Sequence, residues 1–94
     1  MLGTAVSKQD VRAVADAIAN EIVMYCMHTS GDPTDVCLTH HMEATEAYDM
    51  YVPSSLRDIY EKILADRKKT ALLDRLVQLR LKRALSKLKR RRKL

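Results

Sequence analysis

Tryptophan and phenylalanine are absent from this chain, and its aromatic complement is four tyrosines, all placed before residue 61. Glycine and proline occur only twice each in 94 residues. So few chain breakers argue against an all-β fold with tight turns and against a disordered segment. No apolar run approaches the roughly 20 residues needed to cross a bilayer, so no membrane span is expected. Residues Met1 to Gln9 lack the basic-then-apolar order of a signal peptide. The expected setting is therefore the cytoplasm or nucleoid, or the nucleus if the source is eukaryotic. No Cys₂His₂ finger and no ribonucleoprotein signature is present. The cysteines and histidines have neither a glycine-rich oxyanion turn nor a visible third orienting residue, so no enzymatic activity and no obligatory cofactor are expected.

Acidic residues are missing from one region only. Residues 1–79 hold eight Lys/Arg and all twelve Asp/Glu, a net of −4, whereas residues 80–94 hold nine Lys/Arg and no acid, a net of +9. Asp74 is the last acidic side chain. A division this sharp points to a task for the basic segment beyond general solubility.

What the chain has in quantity is helix-forming stock: alanine, leucine, arginine, lysine and glutamate. An all-α fold follows. Ser7 with Asp10 makes an N-terminal cap, and Val11, Val14, Ile18, Ile22 and Tyr25 then fall at three-and-four spacing on one face. This first helix should stop near Ser30-Gly31, with the glycine as a left-handed cap. Asp32-Pro33 starts a second helix whose apolar face reads Val36, Cys37, His40, Ala44, Ala47, Tyr48 and Tyr51. Its carboxylates Glu43, Glu46 and Asp49 read as a solvated or partner-facing side.

Val52-Pro53-Ser54-Ser55 is the next break, and Ser55 with Asp58 repeats the capping pattern. No glycine or proline follows Leu56, which predicts one long amphipathic third helix to about Arg92. Its stripe of Leu73, Val77, Leu81, Leu85 and Leu88 exceeds what two shorter helices can cover. That surplus predicts a homo-oligomer, a coiled-coil-like dimer sealed through those five residues. A break near 66–70, with a fourth helix folding back on the first two, is the alternative. The expected organisation is an acidic three-helix core over 1–66 and an amphipathic basic arm over 67–94.

The arm suits phosphate. Arg80, Lys82, Arg83, Lys87, Lys89, Arg90, Arg91, Arg92 and Lys93 could neutralise a DNA or RNA backbone. With no aromatic side chain in the arm there is nothing on which to stack unpaired bases, so little sequence preference is expected. An acidic protein surface is the competing partner. In that reading the protein is an adaptor, inhibitor or assembly subunit docking through helix 2 and the arm, in the manner of a viral or mobile-element accessory protein.

Both cysteines and all three histidines lie in the stretch CMHTSGDPTDVCLTHH, residues 26–41. Cys26 and Cys37 flank the Gly31-Asp32 turn symmetrically and come level if the two helices form a hairpin. Free cysteines packed in the core are the first expectation. Zinc held by Cys26, Cys37 and one of His40 or His41, with His28 reaching over, is a second. A Cys26–Cys37 disulfide is the third. That pair resembles half of a twin-cysteine helical hairpin, but the family uses two pairs with nine intervening residues, where this chain has one pair with ten.

Overall fold

The computed structural model describes residues 6–43 and 45–92, of which 45–47 and 91–92 are described by their backbone alone. Four α-helices form: α1 Lys8–His28, α2 Thr34–Glu43, α3 Arg57–Leu64 and α4 Arg67–Arg92. Two 3₁₀ segments, Thr45–Tyr51 and Ser54–Leu56, join α2 to α3. There is no strand among the described residues, so the fold is all-α.

The start of α1 follows the sequence. Ser7 Oγ accepts the Asp10 N–H at 3.0 Å and the Asp10 carboxylate accepts the Ser7 N–H at 3.2 Å, a reciprocal cap. Its end does not. Thr29 is the C-cap in right-handed helical conformation, donating its N–H to the Tyr25 carbonyl, and Gly31 is not left-handed. The inward face of α1 is Val11, Val14, Ala15, Ile18, Ala19, Ile22 and Cys26, while Tyr25 lies at the surface.

Helix 2 is shorter than expected. The α-helix stops at Glu43, and Thr45–Tyr51 winds more tightly as 3₁₀. Its buried residues are Cys37 and Leu38, one position out of phase with the expected face, so Val36 and His40 are exposed. Ala44 and the side chains of Glu46 and Ala47 lie outside the described residues. The change of winding turns Tyr48 and Val52 into the core.

The single long third helix is corrected to two. Ala65 caps α3, and Asp66 opens α4 by accepting the N–H groups of Lys68 and Lys69 at 2.9 and 3.2 Å on one carboxylate oxygen. The Thr70 hydroxyl then reaches back to the carbonyls of Ile63 and Asp66 at 2.9 and 3.0 Å, tying the two helices at the corner. An aspartate at the N-cap satisfies the first free N–H groups of a helix and is worth about 1 kcal/mol, and here it marks a helix start without glycine or proline. Ser55 does not cap α3, whose N-cap is Leu56 with no side-chain bond.

Past this corner α4 packs on α1. Leu73, Val77 and Leu81 share one core with Val14, Ile18, Ile22, Leu38, Tyr60 and Ile63. Of the residues expected to pair two copies of the chain, Leu73, Val77 and Leu81 are therefore buried within it, Leu85 packs against that core, and Leu88 beyond it is half-buried. The buried part of the stripe is thus satisfied without a second copy, which leaves Leu85 and Leu88 alone of the five to carry the packing argument for a coiled-coil dimer. Asp66 lies at the boundary between α3 and α4, and Leu73, Val77 and Leu81 beyond it join the same core as α1 and α3.

Met42 borders a hollow with Arg75, Gln78 and Lys82, while Val36 and His40 border another with Leu85 and Lys89. The helix α2 thus runs antiparallel to α4. The longest dimension of the molecule is 53 Å against 21 and 19 Å across. A helix of 26 residues measures about 39 Å at 1.5 Å per residue, longer than any other element here.

Candidate functional site

Burial along α4 declines in steps. Leu73, Val77 and Leu81 are sealed, Ala84, Leu85 and Leu88 are half-buried, and the side chains between them turn outward. At 100° per residue, Leu79, Lys82, Arg83, Ser86, Lys87 and Arg90 fall on an arc centred roughly 160° from the buried stripe. These six line a shallow hollow of about 450 Å³ on the outer surface of the helix. Lys82, Arg83, Lys87 and Arg90 are all exposed, and none is in an ion pair among the described residues.

The other basic residues stand apart from this face. Arg80 donates from Nε to the Asp16 carboxylate and from Nη1 to the Leu76 carbonyl at 3.4 Å, pinning α4 to α1. Lys89 lines a second hollow, of about 230 Å³, with Asp35, Val36, Thr39, His40 and Leu85. The side chains of Arg91 and Arg92, and all of Lys93, lie outside the described residues. The nine cations expected to act together thus include four on one free face, one used for folding and one directed towards α2.

The acids expected on helix 2 are likewise divided. Asp49 holds Arg57 through a 2.8 Å salt bridge. Glu43 is exposed. Asp74, the last acid, faces inward and accepts the Tyr48 hydroxyl at 2.9 Å, while Gln78 Nε2 donates to the same hydroxyl at 2.8 Å. Burial, with Asp74 adding to it, pushes the Tyr48 phenol well above its ordinary pKa. Asp74 and Gln78 are one turn apart on α4, but no sequence period links them to Tyr48, so this junction is visible only once the chain is folded.

The cysteines form a disulfide, which corrects the expectation of free thiols. The hairpin places the two Cα atoms 5.5 Å apart, a spacing a disulfide spans without backbone movement. His41 stands against it, with Nδ1 3.8 and 3.7 Å from the sulfurs of Cys26 and Cys37. Nδ1 also lies 2.9 Å from the Cys37 carbonyl, and Nε2 lies 2.8 Å from the Tyr51 hydroxyl. A carbonyl only accepts, so in the neutral ring Nδ1 carries the proton and Nε2 accepts the Tyr51 O–H. Tyr25 and Tyr51 meet the imidazole edge-on at centroid distances of 5.8 and 5.3 Å. Burial pushes the Tyr51 phenol up, and neighbouring Tyr25 adds to the effect. His28 and His40 are exposed and take no part.

One larger hollow, about 600 Å³, lies between α3 and α4 and is lined by Tyr48, Tyr60, Leu64, Arg67, Thr70, Ala71, Leu73 and Asp74. Thr70 is engaged in the α3–α4 corner, and Tyr48 and Asp74 in the junction described above.

No protein-family model matches the chain, and no curated protein and no solved structure matches it either. Function therefore has to be argued from the sites themselves.

Proposed function

We propose that this protein binds nucleic acid through the phosphate backbone, with little sequence preference, using the outer face of the last turns of α4. One observation carries this reading: Lys82, Arg83, Lys87 and Arg90 share an exposed helix face directed away from the core and are without intramolecular ion pairs among the described residues. A structural role for those charges would bring them to carboxylates, as Arg80 is brought to Asp16. From Lys82 to Arg90 the helix rises about 12 Å, and a duplex presents one phosphate per strand for about every 3.4 Å of its axis, so a face of this length meets more than one phosphate. The sequence continues the charge with Arg91, Arg92 and Lys93. The face contains no aromatic side chain, so affinity would come from charge and counterion release rather than from stacked or edge-read bases.

The test is fluorescence anisotropy on a labelled duplex across a salt series. Four phosphate contacts give a slope of log K against log salt of about −4. Replacing Lys82, Arg83, Lys87 and Arg90 together by alanine should flatten that slope while the denaturation midpoint stays put. A flat dependence in the natural chain, or equal binding by the variant, sinks the reading.

A second reading, docking on an acidic protein surface, is favoured by Leu79. This leucine is 43% exposed amid the cations, and phosphate has no use for an apolar anchor. Freshly purified protein separates the two. A nucleic-acid binder shows a raised 260/280 absorbance ratio that high salt removes, whereas an adaptor comes out clean.

A further inference from the structure

Cys26, Cys37 and His41 present two sulfurs and one imidazole nitrogen within 4.8 Å of one another. Both cysteines are buried, at 3% and 4% exposure. His41 Nδ1 is nearly equidistant from the two sulfurs, at 3.8 and 3.7 Å. In tetrahedral zinc coordination, with Zn–S about 2.3 Å and Zn–N about 2.0 Å, a sulfur–nitrogen edge measures about 3.6 Å. Two of the three edges of such a face are thus already set while the disulfide is closed. The third, sulfur to sulfur, needs about 3.8 Å, which rotation of the two cysteine side chains supplies once their bond is broken.

We propose that reduction converts this corner from a disulfide into a binding site for a thiolate-preferring divalent metal, zinc foremost, with Cys26, Cys37 and His41 as ligands. The reductant is a thiol: two electrons from a dithiol or two monothiols cleave the sulfur–sulfur bond, and the donor leaves as its own disulfide. The two cysteine thiols then pass two protons to solvent as the metal enters. Two thiolates and a neutral imidazole around a divalent ion sum to zero, the charge a buried site accepts most readily.

The proton on His41 supplies the remaining piece. In the disulfide form Nδ1–H donates to the Cys37 carbonyl and Nε2 accepts from Tyr51. Metal on Nδ1 moves the ring proton to Nε2, where the Tyr51 oxygen, 2.8 Å away, turns from donor to acceptor. A metal-bound histidine characteristically gives its second N–H to such a partner, which fixes the tautomer and the ring plane. Tyr25 and Tyr51 hold that plane from two sides. The fourth position is left to water or an exogenous ligand, since neither His28 nor His40 belongs to the cluster.

Cobalt(II) is the probe. The full chain, reduced with a phosphine and titrated with cobalt, should develop thiolate-to-metal charge-transfer absorption and intense tetrahedral d–d bands, saturating near equimolar metal; zinc should bleach them. Protein kept oxidised should show neither. H41A preserves the cysteines and should lose the tetrahedral spectrum. Y51F preserves the ring and removes only the hydroxyl, and should weaken cobalt affinity about 10- to 100-fold. No spectrum from the reduced chain, an equal spectrum from the oxidised chain, or undiminished affinity in both variants would overturn the proposal.

Discussion

Leu81 and Leu79 sit two residues apart on α4, one sealed at 0% exposure and the other 43% exposed. The same residue type thus serves two tasks, and helical period assigns them. The inner stripe of Leu73, Val77 and Leu81 makes α4 part of the core, while the outer stripe of Leu79, Lys82, Arg83, Lys87 and Arg90 is free of it. The lesson concerns function: the basic segment is displayed by a helix rooted in the fold, so its charges are held at fixed spacing.

The largest expected effect tests that rooting. Leu81→Ala should cost about 3 kcal/mol in urea unfolding, the usual range for a buried leucine truncation. Arg83→Ala, on the opposite side, should stay within about 0.5 kcal/mol. Equal effects from the two would mean that the faces are not distinct.

A similar contrast divides the ends of the molecule. The α1–α2 turn is fastened covalently by Cys26–Cys37, whereas the α3–α4 corner is fastened by Asp66, Thr70 and the Tyr48 junction. Replacing both cysteines by serine should cost about 3 kcal/mol, from a closed loop of this length. Mass spectrometry with thiol labelling, before and after reduction, confirms which state is being unfolded.

Tyr48→Phe should cost about 1–2 kcal/mol, because Asp74 and Gln78 lose a shared partner in a half-buried place. The pH dependence has a defined sign. Tyr48, Tyr51 and Tyr60 all have folded-state pKa values raised, in each case chiefly by burial. Their contribution is fully present below the unfolded tyrosine value of about 10 and is lost as pH climbs above it. Stability should therefore fall on the alkaline side, and Tyr48→Phe should make that fall shallower. An unchanged alkaline limb would show that Tyr48 does not set it.

These contrasts also mark what could be read in advance. The α1 cap and most of its buried face are written locally, in Ser7, Asp10 and the spacing of Val11, Val14, Ile18 and Ile22. The corner at Asp66 is legible only as the alternative break near 66–70, because no glycine or proline marks it and a capping aspartate followed by Thr70 makes it instead. The buried face of helix 2 lies one residue from the one its sequence predicts, since its covalent tie to Cys26 and its 3₁₀ exit, rather than a long apolar stripe, orient it. The cysteine–histidine stretch was recognisable as a cluster. Its selection of His41 over His40 was not, because Tyr51 and the Cys37 carbonyl make that choice in three dimensions.

The smallest effect sharpens the outer face itself. Leu79 is the one apolar side chain among the cations of the α4 hollow, and as a surface residue its replacement by serine should leave stability within about 0.5 kcal/mol. Phosphate binding depends on the number of neutralised charges, so Leu79→Ser should keep both the affinity for a duplex and its salt slope. A protein partner would instead use the leucine as an apolar anchor within a charged rim, where truncation of a buried contact costs more than 1 kcal/mol. Anisotropy on a duplex at two salt concentrations therefore reads more than affinity. Unchanged binding by Leu79→Ser, with loss of binding when the four cations are removed, assigns the face to phosphate. Weakened duplex binding with an unaltered salt slope would show that the leucine itself contacts the duplex, and would move the weight of the argument from charge to shape.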